Sequence, residues 1–384
     1  MNKVAIVSAK RTPIGKFRGK LRNYSAVELG IHSLKAAMKA VKLSPELVDQ
    51  VIYGNVLQAG SGQNPARQIG IKSGVPNTAP AMTINEVCGS GLKSIILGKQ
   101  LIQLGEAKVV AVGGIESMTN APKLVLSEDG KPVPSFMHDG LTDAFSQSPM
   151  GDTAEAVAEK FNITREQQDA FANESHHKAS QAVEAGKFDN EIVPLEDADG
   201  ELMTSDEGIR GNSSIEKLGT LDTIFKADGT VTGGNASPIN DGASTVILMD
   251  EAYAKENGFE ILGIVGDYTE IGYDPAYMGY APYHAVSQLL EKTNQTIDDI
   301  DVVEMTEAFA AQSIPVRDHL KLDEDKLNLY GGAIALGHPI GASGTRLVTT
   351  LVNVLSQENK QNGIATACIG GGMSIALSVS KGNQ

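Results

Sequence analysis

Asn85-Glu86-Val87-Cys88-Gly89-Ser90-Gly91-Leu92-Lys93-Ser94 places a cysteine in a turn of small residues. The run from Leu92 to Leu104 has no strongly polar face, which predicts a buried helix beginning near Cys88. Unpaired backbone N–H groups and the dipole at a helix start favour a thiolate. A lone cysteine is commonly a small buried hydrophobic residue, so this stretch alone leaves a reactive and a structural role open.

The same sequence pattern occurs a second time near the C-terminus. A small-residue turn, an apolar helix, a strand and a glycine-rich bend follow one another over 89–118 and again over 341–373. The two strands are predicted at 109–112 and 363–368. Four elements in the same order predict two copies of one fold, packed so that their corresponding turns face a shared site.

The 384 residues exceed one ordinary domain. Alternating strand and helix patterns in both halves predict an α/β fold on a mostly parallel sheet. Between the halves, residues 119–239 show one amphipathic helical region at about 153–186 and a hairpin at Ser127–Lys131. We therefore predict an N-terminal domain (1–118 plus 240–260), an inserted loop domain (119–239) and a C-terminal domain (261–384).

The bulk composition restricts the classes of partner. Lys and Arg number 32 against 47 Asp and Glu, a net charge of −15 that argues against nucleic acid. No apolar run reaches 18 residues, so we expect no membrane span. The N-terminus enters a strand pattern without a signal peptide, and two cysteines do not form a disulfide framework. These features predict a cytoplasmic protein.

Three further places carry candidate chemical groups. His338 lies between Gly337 and Pro339 in a rigid loop, and a turn-capping role is its alternative. Cys368 ends a strand beside three glycines whose N–H groups suit an oxyanion; a buried structural cysteine is the alternative. Thr306 follows a strand, and helix capping is the commoner use of such a residue.

Other candidates for ligand binding are weaker. The pair His176-His177 lies on a helix without partners at ligand spacing and is interpreted as solvated surface. The remaining histidines form no cluster, and Gly113-Gly114 lacks the full dinucleotide fingerprint. We assign no metal, nicotinamide or flavin.

Taken together, the chain resembles the thiolase family, specifically the acetyl-CoA C-acetyltransferases. The resemblance extends over essentially the whole chain and rests on six stretches: Val7–Gly15, Asn85–Gly91, Asn235–Ala243, Glu307–Gln312, Gly337–Gly344 and Cys368–Gly372. It implies a duplicated thiolase fold with five α/β/α/β/α layers, in which the inserted loop domain cradles coenzyme A (CoA). It also implies that no metal or redox cofactor is needed.

The resemblance implies a role for each candidate residue. Cys88 would take the acyl group from a first acyl-CoA, and His338 would accept its proton. Cys368 would remove the α-proton of a second acetyl-CoA, or the proton of the CoA thiol in the reverse cleavage. The N–H groups of Cys88 and Gly370 would hold the oxyanion.

Two positions depart from the family pattern. Thr306 replaces the usual asparagine before Glu-Ala-Phe, and its shorter hydroxyl would have to hold the water that stabilises the enolate. Pro149 replaces a histidine near CoA and cannot donate a hydrogen bond. The remaining pocket positions carry over: Arg210 for the nucleotide end, Phe225, Ala236 and Ser237 for the pantetheine, and Leu141, Met150, Ala308 and Phe309 near the acyl end.

The expected reaction joins two acetyl-CoA molecules into acetoacetyl-CoA and CoA. Two alternatives are a degradative 3-ketoacyl-CoA thiolase and a non-catalytic acyl-CoA-binding protein. The family also implies a homodimer, or a homotetramer formed through a loop such as Leu126–Val133. If Cys88 and Cys368 reach one pocket, oxidation could join them in a disulfide that switches the enzyme off.

Overall fold

The computed structural model describes residues 2–382, and these form fourteen strands and eleven α-helices. The strands are β1 (Val4–Arg11), β2 (Gly15–Lys16), β3 (Gln50–Gly54), β4 (Ala81–Ile84), β5 (Val109–Ser117), β6 (Lys123–Leu124), β7 (Val133–Pro134), β8 (Leu195–Glu196), β9 (Leu202–Met203), β10 (Asn240–Asp250), β11 (Gly263–Gly272), β12 (Val302–Met305), β13 (Asn362–Ile369) and β14 (Met373–Lys381). The helices are α1 (Ala26–Ala40), α2 (Pro65–Lys72), α3 (Ser90–Gln103), α4 (Met150–Phe161), α5 (Arg165–Glu184), α6 (Ile215–Gly219), α7 (Glu251–Glu256), α8 (Ala281–Thr293), α9 (Ala310–Leu320), α10 (Ala333–Leu336) and α11 (Ile340–Gln357).

Two similar strand arrangements meet edge to edge in one large sheet. The N-terminal half has the order β4-β3-β5-β10-β1, and the C-terminal half continues as β11-β14-β13-β12. In both halves a parallel pair (β3–β5, β12–β13) is followed by two antiparallel ones. The predicted duplication is confirmed, since α3–β5 and α11–β13 hold equivalent places.

The prediction of a mostly parallel sheet is wrong. Within the described sheet, three strand pairs are parallel and six are antiparallel. The reason is local in the second half, where β13 returns directly into β14 through a tight turn. Gly371 and Gly372 have φ of +90° and +80°, which glycine adopts without steric cost. A short turn of this kind can join only antiparallel strands.

Five layers result from helices that cover both sheet halves. Helices α3 and α11 pack against each other in the middle, where they contact strands of both halves. Their apolar residues form the largest core, which includes Leu92, Ile95, Leu347 and Leu351. Helices α1 and α2 cover the outer face of the first half, and α8 and α9 that of the second. The predicted α/β/α/β/α order is confirmed. No helix among residues 2–382 has the length and apolar character of a membrane span.

The single helical region predicted at about 153–186 contains two helices. Helix α4 ends at Phe161, and its C-cap Asn162 has φ +54°. Thr164 is the N-cap of α5 and forms a capping box with Gln167. The expected hairpin is present: β6 pairs with β7, and Gly130 N–H donates to Ser127 O at 2.9 Å. The domain boundaries at 118/119, 239/240 and 260/261 stay a prediction.

Candidate active site

A single cavity lies where both halves and the inserted segment meet. Its volume of about 580 Å³ is in the range of small-molecule sites. The turn before α3, the turn before α11 and the end of β13 supply its floor. The predicted residues that line it are Cys88, His338, Cys368, Gly370, Arg210, Phe225, Ala236, Ser237, Leu141, Met150, Ala308 and Phe309. The structure therefore brings together all but one of the residues predicted for the site.

The Cys88 thiol is protonated at rest, which corrects the expectation of a thiolate. The side chain is partly exposed to the cavity, but protein surrounds the sulfur on its other sides. Burial raises the pKa of Cys88 to about 11, and the charge of Glu116 adds to the rise. The N–H groups of Gly370 and of Cys88 itself lower it without overcoming burial. Deprotonation of Cys88 needs a neighbouring base.

His338 is held as a neutral imidazole in one tautomer. Its Nδ1 lies 2.6 Å from Ser343 Oγ, and the Ser343 hydroxyl donates to the Pro339 carbonyl at 2.9 Å. Because that proton is committed, Nδ1 must donate to Ser343, which leaves the Nε2 lone pair free as a base. Burial and the charge of Arg346 lower the pKa of His338 to about 4. Asn240 Oδ1 fixes the loop by accepting the His338 N–H at 2.8 Å.

Cys368 is the more deeply enclosed of the two thiols. It is fully buried at the end of β13, and its thiol donates to Gln312 Oε1 at 3.4 Å. Burial raises the pKa of Cys368, and the nearby Cys88 raises it further. Both cysteines line the same cavity. A thiol of high pKa becomes a strong base once it is deprotonated.

Two backbone N–H groups lie near the Cys88 sulfur and lower its pKa. Those of Cys88 and Gly370 interact with the sulfur, and neither donates to a backbone carbonyl in the described part of the chain. Both therefore remain available to a carbonyl oxygen bound beside the sulfur. Two such donors are the arrangement that stabilises an oxyanion in acyl transfer.

Two family models match nearly the whole chain. The N-terminal domain of thiolase matches residues 4–252, and the C-terminal domain of thiolase matches residues 259–381. The chain belongs to the thiolase family.

Relatives and solved structures agree with this membership. A probable acetyl-CoA acyltransferase of Staphylococcus aureus is 48% identical, covering 99% of this chain and 100% of its own. The crystal structure of human mitochondrial 3-ketoacyl-CoA thiolase has a TM-score of 0.96 at 41% identity, covering 100% and 99% of the two chains. The acetyl-CoA acetyltransferase of Bacillus anthracis also has a TM-score of 0.96, at 38% identity and 99% coverage of both chains.

Thr306 is the predicted residue that this thiolase does not bring to the cavity. It is absent from the described lining and fully buried, and its N–H donates to Thr366 O at 3.0 Å. Its hydroxyl has no hydrogen-bond partner among residues 2–382. That Thr306 holds an active-site water stays a prediction. Pro149, the second departure, does line the cavity.

The interpretation of His176 as solvated surface is wrong. Its side chain is 2% exposed and lines the cavity, while its Nδ1 accepts the Arg210 N–H at 3.2 Å. Burial lowers the pKa of His176 to about 4, and Arg210, His177 and Lys16 lower it further. The sequence around a histidine in a helix does not indicate which distant residues pack against its side chain.

Three residues at or next to the cavity are not predicted from the sequence: Lys16, Met278 and Glu116. Lys16 lines the cavity, and Met278 packs beside Ala308 and Cys368. Glu116 is buried behind the wall and accepts four hydrogen bonds, from Asn55 Nδ2 and from the N–H groups of Val56, Leu57 and Gly341. Glu116 follows Gly113-Gly114-Ile115 within an apolar strand, and this position is a sequence signal for a buried, hydrogen-bonded carboxylate. Acidic side chains are almost never fully buried unless they are paired.

Proposed function

We propose that this thiolase acyltransferase joins two acetyl-CoA molecules into acetoacetyl-CoA and CoA through an acetyl group carried on Cys88. The observation that carries the proposal is the convergence of Cys88, His338 and Cys368 on one cavity with two free N–H groups. Both thiols and the imidazole are neutral at rest, so the set can transfer protons without a preformed ion pair.

In the first half-reaction, the Cys88 sulfur attacks the thioester carbon while His338 Nε2 takes the thiol proton. The oxyanion accepts hydrogen bonds from the N–H groups of Cys88 and Gly370. When the C–S bond to CoA breaks, Cys368 gives its proton to the departing CoA sulfur. Acetyl-Cys88 then faces a Cys368 thiolate and a protonated His338.

In the second half-reaction, the Cys368 thiolate takes a proton from the methyl carbon of a second acetyl-CoA. The resulting carbanion attacks the acetyl carbon on Cys88, and a new C–C bond forms as the C–S bond breaks. His338 returns its proton to the Cys88 sulfur. Every proton is restored, so the cycle needs no metal or redox partner.

The cavity also supports CoA as the ligand. We propose that Arg210 contacts the nucleotide end, that Phe225, Ala236 and Ser237 contact the pantetheine, and that Leu141, Met150, Ala308 and Phe309 surround the acyl group. A human mitochondrial 3-ketoacyl-CoA thiolase has been solved in complex with CoA, at 42% identity and a TM-score of 0.96. Arg210 supplies positive charge that an acidic protein needs beside an anionic ligand.

Acetylation of Cys88 is the direct test. We expect acetyl-CoA to add one acetyl group, found by intact mass and mapped to the Cys88 peptide. The Cys88→Ala variant should remain unmodified. The Cys368→Ala variant should acetylate more slowly, because it lacks the proton donor for the departing CoA, and should form no acetoacetyl-CoA. A wild-type protein without an adduct would favour the non-catalytic binding protein.

A degradative 3-ketoacyl-CoA thiolase is the second candidate, favoured by the 41% identity with the human enzyme of that name. Cleavage of 3-ketoacyl-CoAs of increasing chain length in the presence of CoA separates the two. We expect turnover to fall beyond the four-carbon substrate because Met150 and Met278 occupy the acyl end. Equal turnover of long substrates would favour the degradative enzyme.

We also propose a homodimer or homotetramer. Val125 and Leu126, each 59% exposed, leave apolar surface on the loop next to Ser127–Lys131. Light scattering coupled to size exclusion should give a dimer or tetramer mass, and a monomer at micromolar concentration would exclude both.

A further inference from the structure

The residue before Cys88 holds a backbone conformation that β-branched residues rarely adopt. Val87 has φ +45°, in the left-handed region. The turn around it is closed by Gly89 N–H donating to Glu86 O at 2.9 Å and Ser90 N–H donating to Val87 O at 3.1 Å. Such a residue persists only where its surroundings fix it, and strain of this kind concentrates at functional sites.

Ser90 supplies the contacts that fix the turn. Its hydroxyl donates to the Val87 carbonyl at 2.7 Å and accepts the Glu86 N–H at 2.8 Å, so one side chain bridges both sides of Val87. Ser90 is fully buried and packs directly on Gly54, where a β-carbon would lie 2.6 Å from Ser90 Cβ. Asn85 Oδ1 adds a third contact by accepting the Val87 N–H at 3.0 Å.

This turn decides where the Cys88 N–H points. The φ and ψ angles of Val87 together orient the peptide that joins Val87 to Cys88 relative to the chain before the turn. In the observed conformation the Cys88 N–H interacts with its own sulfur and with no backbone carbonyl of the described chain. A negative φ at Val87 would redirect the chain that follows and so shift the peptide carrying this N–H relative to Gly370.

We propose that Ser90 and Val87 are positioning residues that hold the Cys88 N–H in the oxyanion site. The inference rests on the proposed function, because the N–H acts only when an acyl group reaches Cys88. The ordinary alternative is that Ser90 merely stabilises the start of α3. The two readings differ in which reaction of Cys88 depends on Ser90.

The first test compares Ser90→Ala with Ser94→Ala. Ser94 is equally buried on α3, and its hydroxyl donates to the Gly91 carbonyl at 2.7 Å without touching the Cys88 turn. We expect Ser90→Ala to lower single-turnover acetylation of Cys88 by about 10–100-fold, as expected for a misplaced oxyanion donor. Ser94→Ala should stay within about threefold of wild type.

Alkylation of Cys88 by iodoacetamide distinguishes the positioning role of Ser90 from a structural one. A structural role would affect alkylation and acetylation equally. Alkylation forms no oxyanion, so Ser90→Ala should lower this rate only as far as the Cys88 N–H stabilises the thiolate, which is less than the loss in acetylation. Equal losses in acetylation and alkylation would overturn the positioning role. So would acetylation in Ser90→Ala equal to that in Ser94→Ala. If wild type fails to acetylate, the proposed function fails instead.

A double-mutant cycle tests the conformational argument at Val87. Glycine adopts φ above zero without strain, so it needs no bridge from Ser90. In a Val87→Gly background, Ser90→Ala should therefore cost less than about threefold in acetylation, against 10–100-fold in wild type. The same cost in both backgrounds would refute the argument. If Ser90→Ala does not fold by circular dichroism, Asn85→Ala replaces it, with an expected loss of about 3–10-fold and the same contrast with alkylation.

Discussion

At the scale of single residues, one neighbouring hydroxyl decides which ring nitrogen of His338 carries the proton. Ser343→Ala removes the acceptor of Nδ1–H, which frees the ring to place its proton on Nε2. We expect acetylation of Cys88 to fall by about 10–100-fold, since general-base catalysis contributes about that much or more. Ser313→Ala is the matched control, because Ser313 donates to Phe309 O at 3.1 Å in the same helical geometry without a histidine partner. Equal rates in the two variants would contradict the tautomer assignment.

The raised pKa of Cys88 predicts how its alkylation depends on pH. With a pKa of about 11, the thiolate fraction grows about tenfold for each pH unit from 7 to 9. His338, with a pKa of about 4, cannot form a stable ion pair with Cys88 in this range. We therefore expect the iodoacetamide rate at Cys88 to rise throughout this interval, as measured by peptide mass. A plateau between pH 6 and 8 would indicate a resting thiolate–imidazolium pair.

Thr306 is expected to contribute little to the rate. Thr306→Val removes a buried hydroxyl without a partner in the described chain, and such a group costs about 1–3 kcal/mol. The variant should unfold at equal or higher urea concentration and keep both half-reactions within about threefold. Thr366→Val gives the contrast, since the Thr366 hydroxyl donates to Ile375 O at 2.8 Å. A selective loss of condensation in Thr306→Val would restore its predicted role.

A functional residue can be predicted from the sequence when its role depends on its neighbours along the chain. Cys88, His338 and Cys368 stand in short glycine-rich motifs, so their positions follow from local backbone requirements. The error at His176 concerns burial, which depends on what other segments pack against it. A side chain's own sequence neighbours do not encode that packing.

At the scale of elements, Glu116 joins three segments that surround the cavity. Each of its carboxylate oxygens accepts two N–H groups, from the chain after β3 and from the start of α11. Burial raises the pKa of Glu116 to about 7, but a proton on either oxygen would face only donors. The ionised form therefore fits this site. Its negative charge also complements the positive end of the 18-residue α11.

Glu116→Gln should disturb the position of His338, which lies three residues before Gly341. The new amide would point two N–H bonds at existing donors, so we expect a loss of about 1–3 kcal/mol in unfolding free energy. Acetylation should fall by about 10–100-fold, because small misplacements of catalytic groups are costly. Glu155→Gln is the control, since Glu155 also accepts only N–H and O–H donors, from Thr230 and Val231. We expect Glu116→Gln and Glu155→Gln to lose similar unfolding free energy. Only Glu155→Gln should keep the wild-type rate of Cys88 acetylation.

Helix and strand positions were predicted best where apolar periodicity is uninterrupted. Strands β5 and β13 include the predicted stretches 109–112 and 363–368. The break between α4 and α5 was missed because Asn162 and Thr164 interrupt a continuous amphipathic pattern with only local signals. The direction of strand pairing was also missed, since periodicity reports which face is buried and not which neighbour a strand has.

At the scale of the whole molecule, the repeat in sequence predicted the duplication, whereas the attachment of the inserted segment is visible only in the structure. Arg11 at the end of β1 is 1% exposed and bridges two carboxylates of that segment. Its Nε lies 2.7 Å from Glu191 Oε1, and its Nη1 and Nη2 lie 2.7 and 2.9 Å from Asp206. Asp206 Oδ1 also accepts the Ile14 N–H at 2.8 Å. This buried cluster connects the segment carrying Arg210 and Phe225 to the sheet.

Asp206→Asn should weaken that connection much more than loss of a surface ion pair would. The amide cannot balance the guanidinium charge of Arg11, and one of its N–H bonds would face a donor, so we expect a loss of about 3 kcal/mol or more in urea unfolding. Asp199→Asn is the matched control. Asp199 lies in the same inserted segment as Asp206 and pairs with Arg22, but its side chain is 61% exposed. This variant should change stability by less than about 0.5 kcal/mol. Equal losses in the two variants would show that burial of the Arg11 cluster does not hold the segment. A larger loss in Asp206→Asn, with weaker CoA binding measured by calorimetry, would show that the insert depends on β1 to keep its half of the cavity in place.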